Sequence, residues 1–578
     1  MQRAMAAYEA GRAAEAKELC SLVLAADPNH LDAINILGAI ALQRGDLAAA
    51  RDLFERAVRA APGAPDPHNN LGVALQQSNR WDEALAAFDR AIALAPAFAD
   101  AWFNRGVVLT ELQRWDDALA SYRRAIGFQP RSPRYFNNLG NVLQRLHRWA
   151  DALAAYESAL ALRPDYVEAL VNCGVVLRQL RRWDEALRRY DAALAIRPGH
   201  AEALNNRAVA LRETNRWEES VESCRQALAT RPGYPEALNN LGFALHELGR
   251  FDEALRSYEQ AIEARPDFAE ANWNMALLHL ARGEYLKGWK LFEWRWKTED
   301  IAPSMRTFPR PLWLGREPLE GKTILVHSEQ GLGDTIQFAR FLGPLRRRAA
   351  RVILESPRAL VTLMASSFPE VDVVASNADT PDFDFHCPLA SLPYAFGTTL
   401  ETIPGGAAYL APSDEARRRW SEKLGSRTRA RVGLAWAGNP ALRNDHNRSI
   451  PFARLAPLLD LDIEFHSLQK DIRDSDRAAV ERDGRMKTWG AELADFSDTA
   501  ALVLGLDLVI SVDTASAHLS GALGRPTWIA LPYRADYRYL LDRSDSPWYP
   551  SARLFRQQRP GDWDGVVSDI RKTLAAQS

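Results

Sequence analysis

Cysteine is scarce. Cys20, Cys173, Cys224 and Cys387 are the four in 578 residues, and no two form a CxxC pair. That spacing suggests neither a disulfide framework nor a zinc site. Charge of one sign is also missing: the formal net charge is -2, too balanced for a general nucleic-acid footprint. No apolar run reaches membrane-spanning length; the nearest, "AALVLGLDLVISV", is broken by Asp507 and reads as a helix end followed by a buried strand. The opening residues, "MQRAMAAYEAGRAAEAK", lack the basic-then-apolar layout of a secretory leader. A cytoplasmic protein without a membrane span and without a nucleic-acid partner is expected. With 47% hydrophobic and 25% charged residues the chain is globular in composition, and its length calls for two to four domains.

What the sequence does have is a period of 34. Prolines recur at Pro28, Pro62, Pro96, Pro130, Pro164, Pro198, Pro232 and Pro266. Small residues recur at Gly38, Gly72, Gly106, Gly140, Gly174, Ala208, Gly242 and Ala276, and aromatics at Trp81, Trp115, Trp149, Trp183, Trp217, Phe251 and Tyr285. Each unit contains two helix-period segments, a short polar turn and a helix-stopping proline. This resembles the tetratricopeptide repeat, in about nine units over residues 1–300, and implies an α-solenoid superhelix.

Inside that frame Asn70, Asn104, Asn138, Asn172, Asn206, Asn240 and Asn274 each stand two residues before the small residue. Asparagine is a poor interior helix former because its amide competes for backbone groups. First helices line the inner wall of such a superhelix, so the row can run along the groove. Each amide offers a donor and an acceptor to the main chain of an extended peptide. Contacts between repeats are the alternative use. The row resembles the asparagine ladder in the repeat domain of the eukaryotic enzyme that transfers N-acetylglucosamine to protein serines and threonines, which implies a polypeptide acceptor.

Residues 301–320 are proline-rich and irregular, a linker or wrap-around segment. From Lys322 short β-rich runs alternate with amphipathic helices: "TILVHS", "RVILES" and "VDVVAS", then "RVGLAWAG", "IEFHSLQ", "LDLVISV" and "PTWIALP". Such alternation predicts parallel sheets. Two series predict two doubly wound, Rossmann-like domains, at 321–425 and 426–578, with ligands beyond the carboxyl ends of the strands.

Three strand-end loops hold the candidate chemistry. In "HSEQGLGDTIQFAR" Gly331 and Gly333 permit a tight turn before a helix, and Asp334 stands at its start, as a helix cap or as a reactive carboxylate. The third glycine of a dinucleotide fingerprint is replaced by Ile336. In "SVDTASAHLSGALGRPTW" Asp513, Thr514, Ala515 and Ser516 open a helix whose free N–H groups suit a diphosphate, with His518 one turn inside. "WAGNPALRNDHNRSIP" carries Arg443 and Arg448 as cationic partners for phosphate. Asp495, Asp498, Trp548, Tyr549 and Arg556 are further polar or aromatic groups suited to donor recognition, Trp548 and Tyr549 equally to packing.

Together these loops resemble the two-domain GT-B glycosyltransferases, specifically the bacterial family that includes the heptosyltransferases. The family's "GD" after the first strand is matched by Gly333-Asp334. Its Asp-Thr-x-x-x-His segment is matched by Asp513-Thr514 with His518, and its "AALGxPT" run by residues 521–527. The resemblance implies an inverting, metal-independent transfer of sugar from a nucleotide-sugar co-substrate to a protein hydroxyl, with no further cofactor. It places Asp334 as catalytic base, Gly331 and Gly333 beside it, and Thr514, Ala515 and His518 at the nucleotide diphosphate. A basic phosphate ligand is expected in the second domain; Arg448 and Lys470, the latter beside Gln469, are the candidates. The family has glycine where this chain has Ala515. Repeat-bearing transferases of this type include some that modify flagella, which makes flagellin a candidate client. Sugar transfer to a surface glycolipid or polysaccharide and a non-catalytic repeat scaffold are the rival readings.

Overall fold

Every 34 residues the chain turns through a left-handed backbone position. Gly11, Gly45, Asn79, Gln113, His147, Arg181, Asn215, Gly249 and Gly283 all have φ between 55° and 77°. Each reverses the chain between two antiparallel helices. In this computed structural model, which describes residues 1–302, 305–406, 408–441 and 444–577, eighteen helices run from Gln2–Glu9 to Tyr285–Phe292. First helices such as Pro133–Arg145 have 13 residues and second helices such as Trp149–Leu162 have 14. In five of the first helices the glycine has a steric reason. A methyl group on Gly38, Gly72, Gly106, Gly140 or Gly174 would sit 2.5–2.7 Å from the ring of Phe54, Phe88, Tyr122, Tyr156 or Tyr190, sixteen residues later. Where Ala208 replaces glycine, the residue sixteen further on is the smaller Cys224.

The chain divides into two compact units, Met1–Ala244 and Leu245–Ser578. The change of sequence pattern near residue 300 is therefore not where packing divides. The cause is aromatic. Tyr285, Trp289 and Phe292, from the last repeat, are buried within the second unit. Trp289 lies 6.1 Å from Phe338, 5.9 Å from Tyr537 and 6.3 Å from Trp548 between ring centroids. Trp548 Nε1 donates to Tyr285 Oη at 3.0 Å.

The second unit holds two parallel sheets, each covered by helices. In the first, β1 (Thr323–His327), β2 (Arg351–Ser356), β3 (Asp372–Ala375) and β4 (Phe385–Pro388) lie in the order β3-β2-β1-β4. In the second, β5 (Arg431–Ala435), β6 (Glu464–Ser467), β7 (Met486–Lys487), β8 (Leu508–Val512), β9 (Thr527–Leu531) and β10 (Ala552–Arg556) lie in the order β10-β9-β8-β5-β6-β7. Chain order reverses between β1 and β4 and between β5 and β8, the two places where such sheets open a crevice at their carboxyl ends. The proline-rich segment wraps the first sheet: Leu312 bridges His386, Trp313 is 1% exposed, and Phe308 stacks 4.3 Å from His386 and 4.6 Å from His327.

Candidate functional site

β1 ends at His327, and after Gly331 the chain enters the helix Leu332–Phe338. Asp334 reaches back to accept the Gly331 N–H at 3.0 Å through Oδ2. Its Oδ1 accepts from the guanidinium of Arg538, which also donates to Asp536 Oδ1 at 2.7 Å and to Gln337 Oε1 at 2.5 Å. Asp334 is thus a cap and one half of an ion pair together.

β8 ends at Val512. Asp513 accepts from Tyr539 Oη at 2.7 Å. Thr514 is the N-cap of the helix Ala515–Ala522, and its hydroxyl lies 3.1 Å from Ser511 Oγ. Thr514, Ala515 and Ser516 are half-exposed. His518 is buried: Nδ1 lies 2.9 Å from Tyr549 Oη and Nε2 3.7 Å from Asp513 Oδ1. Burial, with Arg538 nearby, pushes the imidazole down to about 3, so it is neutral. The two strand-end loops touch, since a methyl group on Gly333 would meet His518 Cδ2 at 2.8 Å and Ala515 Cα at 3.6 Å.

The remaining donor-side residues gather elsewhere, around the ends of β5 and β6. Arg448 lies over Gly438, with Nε 3.7 Å from Asp445 Oδ1. Asp445 is held by Arg473 at 2.5 Å. Gln469 Oε1 accepts the Ala437 N–H at 3.2 Å, and the exposed Lys470 donates to Ala494 O at 3.1 Å. Arg443 lies outside the described residues. No hydrogen bond or ion pair among the described residues joins this group to Asp334 or His518. A cavity of 380 Å³ beside Lys470, Ile472 and Arg477 lies at this second group. A larger one of 780 Å³ is lined by Arg250, Arg256, Arg282 and Arg543. Neither is lined by Asp334 or His518.

The five further recognition candidates have structural partners. Asp495 caps the helix Phe496–Leu504 through the Ser497 N–H, and Asp498 is buried on Trp420 Nε1 at 2.8 Å. Arg556 donates to the carbonyls of Tyr539 and Arg543. Trp548 and Tyr549 are 2% exposed and act as packing anchors.

The asparagine row is half-exposed at all seven positions, and several of its amides also work between repeats. Asn104 donates to Asn69 at 3.0 Å, Asn172 to Asn137 at 3.3 Å and to Asn141 at 3.1 Å, and Asn240 to Asn205 at 2.9 Å. Asn70 reaches Asn35 at 3.4 Å. An amide has two N–H donors and a carbonyl with two lone pairs. A row member so paired keeps capacity for a ligand, chiefly at its carbonyl.

Sequence reading missed Arg538, Tyr539 and Arg295. Arg538 meets Asp334 across 204 residues, and nothing local marks it. Glu329, by contrast, stands in the loop directly after β1, where a carboxylate following a strand is a visible signal.

The class of the first half is plain at this point. The tetratricopeptide-repeat family matches residues 1–65 and 69–133, and again 131–199 and 199–267, so this half is a tetratricopeptide-repeat array. A particular relative is Protein FlbA of Caulobacter vibrioides, 27% identical over 325 residues, covering 52% of this chain and 54% of the relative. The chain therefore spans about half the length of the curated relative it matches. Among solved structures, YrrB, described as a TPR protein with an unusual peptide-binding site, is 27% identical over 32% of this chain and 95% of its own (TM-score 0.29). Pseudomonas aeruginosa PilF is 24% identical over 36% and 94% (TM-score 0.34). No helix among the described residues is long and apolar enough to cross a membrane.

Proposed function

We propose that this chain is a glycosyltransferase of the GT-B type, moving a sugar from a nucleotide-sugar donor to a serine or threonine hydroxyl of a protein held by the repeat array. The observation that carries the reading is the meeting of two strand-end loops, one from each parallel sheet, at Gly333, Asp334 and His518. Such ends are where doubly wound sheets take ligands. The helix N-terminus at Thr514–Ser516 can stabilise a leaving diphosphate, and a carboxylate in the first loop can accept the proton of the attacking hydroxyl. The half-exposed asparagine row supports a peptide acceptor, and flagellin is the client to try first. Inversion follows from a single displacement.

One observation favours a second reading, a protein-binding scaffold without catalysis. Asp334, Asp513 and His518 are all engaged by partners within the chain. Calorimetric titration of the full chain with UDP, GDP, dTDP and ADP separates the two. Micromolar binding of one of them, with a sugar-sized mass increase on a flagellar or secreted protein when the chain is present, is the expected result. No nucleotide binding and no mass change would leave the scaffold.

A further inference from the structure

The carboxylate that the sugar-transfer reading needs is not free at Asp334. Both its oxygens are committed, one to the Gly331 N–H and one to Arg538. Protonating it would strip a buried guanidinium of a partner, which is costly. Five residues earlier the same loop carries Glu329. Its Oε1 is held by Arg295 Nη2 at 3.1 Å and by the Ala390 N–H at 3.3 Å. The carboxylate is therefore fixed in orientation through Oε1, with a further hydrogen bond from its own N–H.

Arg295 is 0% exposed and comes from the 3-10 turn Glu293–Lys297, directly after the last helix of the repeat array. It sits between two carboxylates, Glu293 at 2.7 Å and Glu329, and also donates to Ser391 Oγ at 2.6 Å. The charged and titratable groups facing Glu329 are Arg295 and, behind it, Glu293, with Asp334 from its own loop and the buried Cys387 thiol from β4. One positive charge among three acids does not offset burial, and Glu329 is pushed up to about 7. A general base works best with proton affinity near the operating pH.

We infer that Glu329 takes the proton of the acceptor hydroxyl, with Arg295 as its positioning residue. The inference rests on the sugar-transfer reading. As the acceptor oxygen forms its bond to the anomeric carbon, its proton passes to Glu329 Oε2. The bond from that carbon to the diphosphate oxygen breaks, and its electron pair leaves with the nucleoside diphosphate. The neutral Glu329 then returns the proton to water. Asp334 serves to hold Arg538 and the turn at Gly331.

The test uses the full chain, a panel of UDP-, GDP-, dTDP- and ADP-sugars and a flagellar or secreted protein extract as acceptor, following nucleotide release against pH. Wild-type kcat/KM is expected to rise with pH through a midpoint near 7. Glu329→Gln should flatten that rise and lower the rate by about 10²–10⁴-fold, while Asp334→Asn keeps the rise. Arg295→Lys should shift the midpoint, which loss of stability alone would not do. Glu329→Asp, which keeps a carboxylate, should recover a pH-dependent rate. A carbon-13 glutamate spectrum of the intact protein should show a carboxyl titrating near 7 that Glu329→Gln deletes. If wild type is active and Glu329→Gln equally so with the same profile, this assignment falls and the transfer reading stands. If wild type releases no nucleotide from any donor, the transfer reading falls and takes the assignment with it.

Discussion

Gly333 and His518 are in contact across the two sheets of the second unit, and the contact leaves no place for a side chain on Gly333. His518 cannot step aside cheaply, because Tyr549 holds its Nδ1 at 2.9 Å. Gly333→Ala should cost about 1–3 kcal/mol, the usual penalty of overpacking, and lower the melting temperature. Adding His518→Ala should return much of that loss, since neighbours in contact are not additive. A Gly333→Ala protein that melts like wild type would show that the loops separate freely.

The asparagine row leads to a double effect. Changing Asn138, Asn172, Asn206 and Asn240 together to alanine should weaken binding of the protein client. It should also lower the melting temperature of the first unit, because Asn172 and Asn240 each bond a neighbouring repeat. Each lost bond is worth about 0.5–1.5 kcal/mol, so single changes are nearly silent. Client affinity and thermal midpoint, measured on the same variant, separate the two roles; unchanged affinity with a lower midpoint assigns the row to the repeats alone.

How far the sequence could be read follows the range of the interactions. The repeats were legible because the same steric demand, a glycine under an aromatic ring, recurs every 34 residues. β1, β2, β3, β5, β6, β8 and β9 were legible as short apolar runs. β4 was not, since Phe385–Pro388 is brief and contains His386 and a proline; β7 has two residues, and β10 is an edge strand with arginines at both ends of "RLFR". The asparagines had an address but no partner, because the bond runs to a residue 35 positions back on another helix. The pattern change near 300 follows the end of the repeat helices at Phe292, yet the packing division at 244/245 could not be read, because Tyr285 and Trp289 are the residue types any repeat carries. Only packing shows that they cover Phe338, Tyr537 and Trp548.

That packing sets the smallest usable fragment that contains the two sheets. A fragment of residues 300–578 exposes Phe338, Tyr537 and Trp548 and removes Arg295 from Glu329. It should elute as an aggregate and melt without a cooperative transition. A fragment of 235–578, which keeps the helix Pro235–Glu247 whole, should be monodisperse. Trp289→Ala in the full chain should cost about 3–5 kcal/mol, as buried tryptophan truncations do. A soluble, cooperative 300–578 would refute this account of the boundary.

Acid should loosen the second unit. His246 and His466 are pushed down to about 4, and His327 and His518 to about 3, each mainly by burial. Below pH 6.5 the unfolded chain binds protons there that the folded chain does not. Their stabilisation is complete above 6.5 and is lost as pH falls from there towards 3–4, each group contributing at most about 1.4 kcal/mol per pH unit. Glu329 has the opposite sign: its raised affinity favours the fold below the ordinary carboxylate range and fades as pH rises through 7. Urea midpoints at pH 7.5 and 5.5 should fall towards acid for wild type and fall less for His327→Gln. Equal midpoints at the two pH values in a Glu329→Gln background, where the opposing carboxyl is absent, would exclude charged-imidazole burial as an acid trigger.

The four buried thiols make the chain its own unfolding reporter. Cys20, Cys173 and Cys224 lie in the first unit and Cys387 in the second, all fully covered. Burial pushes Cys173 up to about 11 and Cys224 to about 12, so neither offers a thiolate to an alkylating reagent or an oxidant at neutral pH. Labelling can proceed only through opening. The rate at which Cys387 is modified, set beside that of Cys173 and Cys224, clocks the two units separately in one unmodified molecule.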